Sequence, residues 1–166
     1  DIFMAEGTIV SAPLPGRLVA FADNRASLDY GPVIILEHRS EDRSEEGGSF
    51  HTLYGHLSRS SLEGLVIGQS FAAGEPLGAI GDSSVNGGWT PHLHFQVITD
   101  LLGLGTDFPG VCRAGEREVW NAFSPDPSPL LGIPGDRLPR PQPTKAETLA
   151  VRRSRLGGNL SIGYRE

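Results

Sequence analysis

The chain has 166 residues, enough for one domain with its own core and a tail. Its formal charge is −6 and no basic run precedes residue 152, which argues against binding to a nucleic-acid backbone. No apolar run approaches membrane-spanning length, no signal-peptide pattern opens the chain, and its lone cysteine, Cys112, excludes both an internal disulfide and a cysteine-rich zinc knuckle.

With 22 glycines and 13 prolines, the composition favours short strands joined by tight turns over helices. The fold expected is therefore mainly β, an antiparallel sheet or sandwich. A first strand is expected over Thr8 to Ser11, then a turn over Pro13 to Gly16. A second strand follows over Arg17 to Ala22, with Leu18, Ala20 and Ala22 alternating against Val19 and Phe21. Pro32 to His38 is apolar on both faces and should lie centrally. Residues 39–49 are charge-dense and read as a solvated hairpin loop. Phe50 to His56 returns as a strand, placing Thr52, Tyr54 and His56 on one face and Leu53 and Gly55 on the other. Glycine-punctuated short strands fill 65–81. Glu116 to Phe123 reads as a short amphipathic helix, with Val119, Trp120 and Phe123 on one side, broken by the prolines from Pro125. From Gly135 the chain is rich in proline and arginine and reads as a linker, so the division expected is 1–134 and 135–166.

The chemistry concentrates in Pro91-His92-Leu93-His94-Phe95, which follows the turn Asn86-Gly87-Gly88-Trp89-Thr90 and runs on as Gln96-Val97-Ile98. On a strand His92 and His94 share one face, while Leu93, Phe95 and Val97 share the core face. Imidazole is the commonest metal ligand and an acid or base near neutral pH. A pair of surface histidines on a sheet edge is the commoner meaning of an isolated His-x-His, because few such pairs have the third ligand that zinc requires. His38 and His51 sit at strand ends with no motif around them, and a strand tyrosine such as Tyr54 is usually packed with its hydroxyl satisfied.

Asp1, Tyr54-Gly55-His56-Leu57, the glycine turn and His92-Leu93-His94-Phe95 together resemble the M23 family of zinc metallopeptidases, the lysostaphin-like endopeptidases. Asp29 to His38 resembles the central strand of that family. The resemblance spans roughly residues 1–100 and extends towards Pro134. It implies a zinc endopeptidase acting on a peptide or peptidoglycan-like substrate. By position in the family motifs, Asp1 and His94 are metal ligands, and His56 and His92 are catalytic histidines flanking the attacking water and the scissile carbonyl. The family pattern also has a histidine four residues before the aspartate, which would precede Asp1. The first residue being Asp and not Met points to a processed or excised chain. The expectation is that these 166 residues fold, with Asp1 prone to fraying, but retain little zinc and cleave nothing.

Arg152 to Ser161 and Tyr164-Arg165-Glu166 are similar to the opening of a class III, PLP-dependent aminotransferase, which implies a covalent neighbour domain beyond this chain. A fused aminotransferase points to the cytoplasm, a typical family member to the outside of the cell. Three other functions compete. The first is a binding or scaffolding module that keeps the fold without turnover. The second is a biotinyl or lipoyl carrier, suggested by Ser11 to Gly16 but rejected because the lone lysine, Lys145, lies in the linker. The third is a phosphocarrier working through paired histidines.

Overall fold

A continuous apolar run needs cover on both faces, and the chain supplies it to Val33-Ile34-Ile35-Leu36, all fully buried. The computed structural model describes residues 1–39 and 48–134. Most of the charged 39–49 loop, the linker from 135 and the aminotransferase-like stretch lie outside the described residues. The strands are β1 (Ile2–Phe3), β2 (Ile9–Ser11), β3 (Gly16–Asn24), β4 (Gly31–Arg39), β5 (Ser49–Gly55), β6 (Ser70–Phe71), β7 (Pro76–Ala79) and β8 (His92–Ile98). One sheet has the order β1-β8-β5-β4-β3-β6, with every pairing antiparallel, and β2 and β7 form a separate two-stranded ribbon.

The two faces of the large sheet carry two cores. On one face, Ile34, Leu36, Tyr54 and Phe95 pack with Val10 and Leu77 of the β2–β7 ribbon. On the other, Val33, Ile35, Leu53 and Ile98 pack with Tyr30 and Phe108, and with Trp120 and Phe123 of the helix α1 (Arg117–Phe123). Thr99 N donates to Phe123 O at 2.8 Å, tying the end of α1 to the chain just beyond β8. The helix buries two of the three residues expected to share its inner side; Val119 is exposed, because Trp120 and Phe123 alone meet the sheet.

The simple alternation expected along β3 fails at one point. Register shifts between Leu18 and Ala20, so Leu18 and Phe21 pack in the first core while Val19, Ala20 and Ala22 pack in the second. An inserted residue reverses the facing of everything after it. Asp1–Gly132 forms one compact unit.

His38 belongs to the first face and is 2 % exposed. Its Nδ1–H donates to Pro15 O at 2.8 Å, and Nε2 meets Thr52 Oγ1 at 2.7 Å, which is itself bonded to Tyr54 OH at 2.9 Å. The neutral ring is thus satisfied at both nitrogens. Burial holds its pKa below the ordinary 6.5. Unfolding lets it take up a proton, so its contribution to stability is complete above pH 6.5 and is lost as the pH falls below that value. Replacing His38 by Gln should make urea stability depend less steeply on pH in this acidic range, the other buried histidines supplying the remaining slope. An unchanged slope would show that His38 does not titrate on unfolding.

Candidate active site

Antiparallel pairing to β8 assembles the site. Pairing of Ile2 with Leu93 and Phe3 with His92 carries Asp1 alongside His94, where Oδ1 and Nδ1 are 2.8 Å apart. Asp1 itself stands just before the paired residues, and its side chain is half exposed. His92 Nε2 lies 3.8 Å from the same carboxylate oxygen. On the other side of β8, Gly55 pairs with His94.

His56 arrives by breaking the strand. Continued alternation would put it on the Tyr54 face, opposite His94. Instead β5 ends at Gly55, one residue before the expected end, and His56 takes a left-handed backbone with φ of 63°. Its N–H donates to Tyr30 O at 2.8 Å and its carbonyl accepts from Gly81 N at 2.9 Å, which holds that backbone. The ring then stands 4.4 Å from the His92 ring and 6.0 Å from the His94 ring, centroid to centroid. Gly55 makes room: a side chain there would meet the Tyr30 ring, which leans over both His56 and His94.

Backbone carbonyls set the tautomers of two histidines. His56 Nδ1 is 3.0 Å from Asn86 O and His92 Nδ1 is 2.6 Å from Thr90 O. A carbonyl only accepts, so each ring donates from Nδ1, which in the neutral form leaves the lone pair on Nε2. Burial, and then the neighbouring His92 and His94, pushes the His56 pKa down to about 4, so this imidazole is neutral at neutral pH. Burial likewise holds His94 below its ordinary value.

The glycine turn acts through Asn86. Its fully buried side chain bridges to Trp89, Oδ1 accepting from Trp89 N at 2.9 Å and Nδ2 donating to Trp89 O at 3.0 Å. Trp89, Phe3, Leu28, Tyr30, Pro109 and Val111 give a cleft of about 620 Å³ its largely apolar walls, and among the described residues no lysine or arginine lines it. Of these, the sequence reading treated Asn86 and Trp89 only as turn residues and left Phe3 and Tyr30 without a role. His38 lies outside the cleft, as does His51, whose Nδ1 is buried without a partner. Tyr54 OH is satisfied by Thr52 on the opposite face.

Among the described residues no group of three or more His, Cys, Asp or Glu is placed to hold a metal ion. Asp1 Oδ1 and His94 Nδ1 offer two adjoining donors, a carboxylate oxygen and an imidazole nitrogen disfavoured from protonation, and these are donor types that zinc accepts. They fit as part of a zinc site.

The Gly87 backbone has φ of +84°, and a Cβ there would overlap the Asp29 carbonyl oxygen; Gly88 has φ of +92° with open space around it. Gly88→Ala should therefore cost about 1–2 kcal/mol, the left-handed backbone alone. Gly87→Ala should cost clearly more, about 3 kcal/mol, and displace the Asn86 carbonyl that orients His56. Urea denaturation of the two variants gives the comparison; equal costs would mean that the contact with Asp29 is slack.

The family model described as Peptidase family M23 matches residues 1–103. Among solved structures, the catalytic domain of the antimicrobial peptidase lysostaphin from Staphylococcus simulans is 25% identical, with a TM-score of 0.50, covering 78% of this chain and 74% of that one. The mainly antiparallel β architecture with one short helix is the fold shared with that domain. A search of curated proteins finds no match to the chain.

Proposed function

The chain belongs to peptidase family M23, and from that premise we propose that it supplies the catalytic cleft of a zinc-dependent endopeptidase acting on peptides of the peptidoglycan cross-bridge type. The observation that carries the proposal is the convergence of Asp1, His56, His92 and His94 in one cleft, with Nδ1 of His56 and Nδ1 of His92 each held by a backbone carbonyl. Asp1 and His94 would hold the zinc, with a third ligand expected four residues before Asp1 by the family pattern. Zinc in such a site supplies Lewis acidity towards water and the scissile carbonyl. A neutral imidazole at His56 or His92 takes the proton from the attacking water and returns it to the leaving amine. The Nδ1–H bonds to Asn86 O and Thr90 O keep the rings in the tautomer this requires and stabilise the imidazolium formed in between. The apolar walls limit water around the reacting bond.

A peptidoglycan substrate implies action outside the cytoplasm, whereas an aminotransferase attached to this chain would imply the cytoplasm. The aminotransferase-like stretch after residue 151 supports a covalently attached second domain, which the mass of the full-length protein would test. The competing function is a binding module on the same fold, which would keep the cleft without metal or turnover.

Metal analysis separates the two. The chain extended at its N-terminus to carry a histidine four positions before Asp1 should bind one zinc and cleave cross-bridge peptides; an extension with alanine at that position should not. In the active extended chain, His56→Ala and His92→Ala should each keep zinc while turnover falls about 10²–10⁴-fold. Asp1→Ala and His94→Ala should lose zinc as well. Zinc loss in all four variants would overturn the division into ligands and catalysts, and no zinc on the extended wild type would favour the binding module.

A further inference from the structure

The segment Gly105 to Ser124 follows the stretch matched by the family model; besides lending Pro109 and Val111 to the cleft walls, it holds the side chain of Gln96, which meets His94. Gln96 stands two residues beyond His94 on the same face of β8. Its amide orientation is fixed by chemistry. Gln96 Nε2 is 3.1 Å from Pro109 O, which can only accept, so the NH2 group must face that carbonyl. The same nitrogen is 3.3 Å from Ser124 Oγ. With the nitrogen committed, Oε1 faces His94 Nε2 at 2.9 Å. Tyr30 closes the enclosure, its hydroxyl 3.1 Å from Gln96 Oε1 and 2.8 Å from Phe108 O.

An amide oxygen cannot donate, so the geometry requires the proton of His94 on Nε2. In the neutral ring the lone pair then lies on Nδ1, the atom 2.8 Å from Asp1 Oδ1, whereas the charged ring donates to both neighbours. A neutral ring in that tautomer and a carboxylate place two acceptors face to face, an arrangement that a cation between them stabilises. Asp1 alone would select the opposite tautomer, because its carboxylate calls for a proton on Nδ1. Gln96 and Asp1 therefore compete for the single proton of one imidazole, and the clamp on Gln96 decides the outcome.

We propose that Gln96 is a positioning residue: held by Pro109 O and Ser124 Oγ, it keeps His94 in the Nε2–H tautomer, so that the Nδ1 lone pair stands beside Asp1 for a metal ion. The metal half of this statement rests on reading Asp1 and His94 as ligands; the tautomer half concerns the neutral ring and stands on the clamp that Pro109 O and Ser124 Oγ place on Gln96. The residues after the family-matched stretch thereby become part of the site, since they orient the side chain that orients the ligand.

The test uses the metal-free 166-residue chain, labelled with nitrogen-15, at a pH above the imidazole titration range. Long-range proton–nitrogen spectra should show His94 as the Nε2–H form in wild type. Gln96→Leu, which removes the acceptor, should shift it to Nδ1–H under the pull of Asp1. Gln96→Glu keeps an acceptor towards Nε2 but turns an oxygen against Pro109 O, so it should hold the Nε2–H form even while lowering the melting temperature. A structural role alone would order tautomer and stability together. Wild type in any other form, or a Gln96→Leu spectrum identical to wild type, would overturn the proposal. In the extended chain, zinc competition against a chelator should show a loss of about 10–100-fold for Gln96→Leu and near wild-type affinity for Gln96→Glu. A tautomer shift without zinc binding to the wild type would leave the positioning role intact and sink the ligand reading instead.

Discussion

The site is referenced throughout to the hydrogen-bond ladder of β8. That strand pairs with β1 on one side and β5 on the other, so a single register fixes where Asp1, His56, His92 and His94 stand relative to one another. A slip of one residue in either pairing would exchange the two faces of the strand and turn the histidines into the core occupied by Phe95. The register is held because that exchange would also expose Leu93, Phe95 and Val97. Burial of one face of β8 therefore guarantees the chemistry of the other.

The second constraint is the treatment of each imidazole. The His56 ring lies 4.4 Å from the His92 ring and 6.0 Å from the His94 ring, yet each of the three has a hydrogen-bond acceptor of its own. Asn86 O, Thr90 O and Gln96 Oε1 each take one ring nitrogen as partner, and all three are acceptors that cannot give a proton back. In its neutral form each ring is thereby left with its lone pair on the other nitrogen, which for His94 is the atom beside Asp1. Desolvation reinforces this by disfavouring charge on His56 and His94. The polar framework behind the rings is mostly main chain, whose position follows from the fold and not from any one side chain.

Much of this architecture was legible in the residues. Unbroken hydrophobicity at Val33 to Leu36 marked the central strand, and period-two alternation placed His92 and His94 together on a face away from Phe95. Alternation failed where the backbone departs from a regular strand. At His56 a positive φ turns the ring to the other side of the sheet, and at Leu18 to Ala20 a register shift reverses the facing. Neither departure has a glycine or proline at its centre to announce it. Convergence of His56 with the His-x-His pair followed from the family resemblance, whereas strict alternation from Tyr54 would have denied it. The strand β1 was missed because two residues carry no periodicity, and Asn86, Tyr30 and Gln96 because their partners lie far along the chain. Such long-range polar contacts leave no trace in local spacing.

The six-stranded sheet ends on both sides in strands of only two residues, β1 and β6. Each covers only one end of its neighbour, β1 pairing with His92 and Leu93 of the seven-residue β8 and β6 with Gly16 and Arg17 of the nine-residue β3. A mainly β protein with several apolar strands is in general prone to polymerise edge to edge. Here the strand that covers part of one margin is also the one that delivers Asp1 to the cleft, so loss of that short stretch would lengthen a bare strand edge and dismantle the site together.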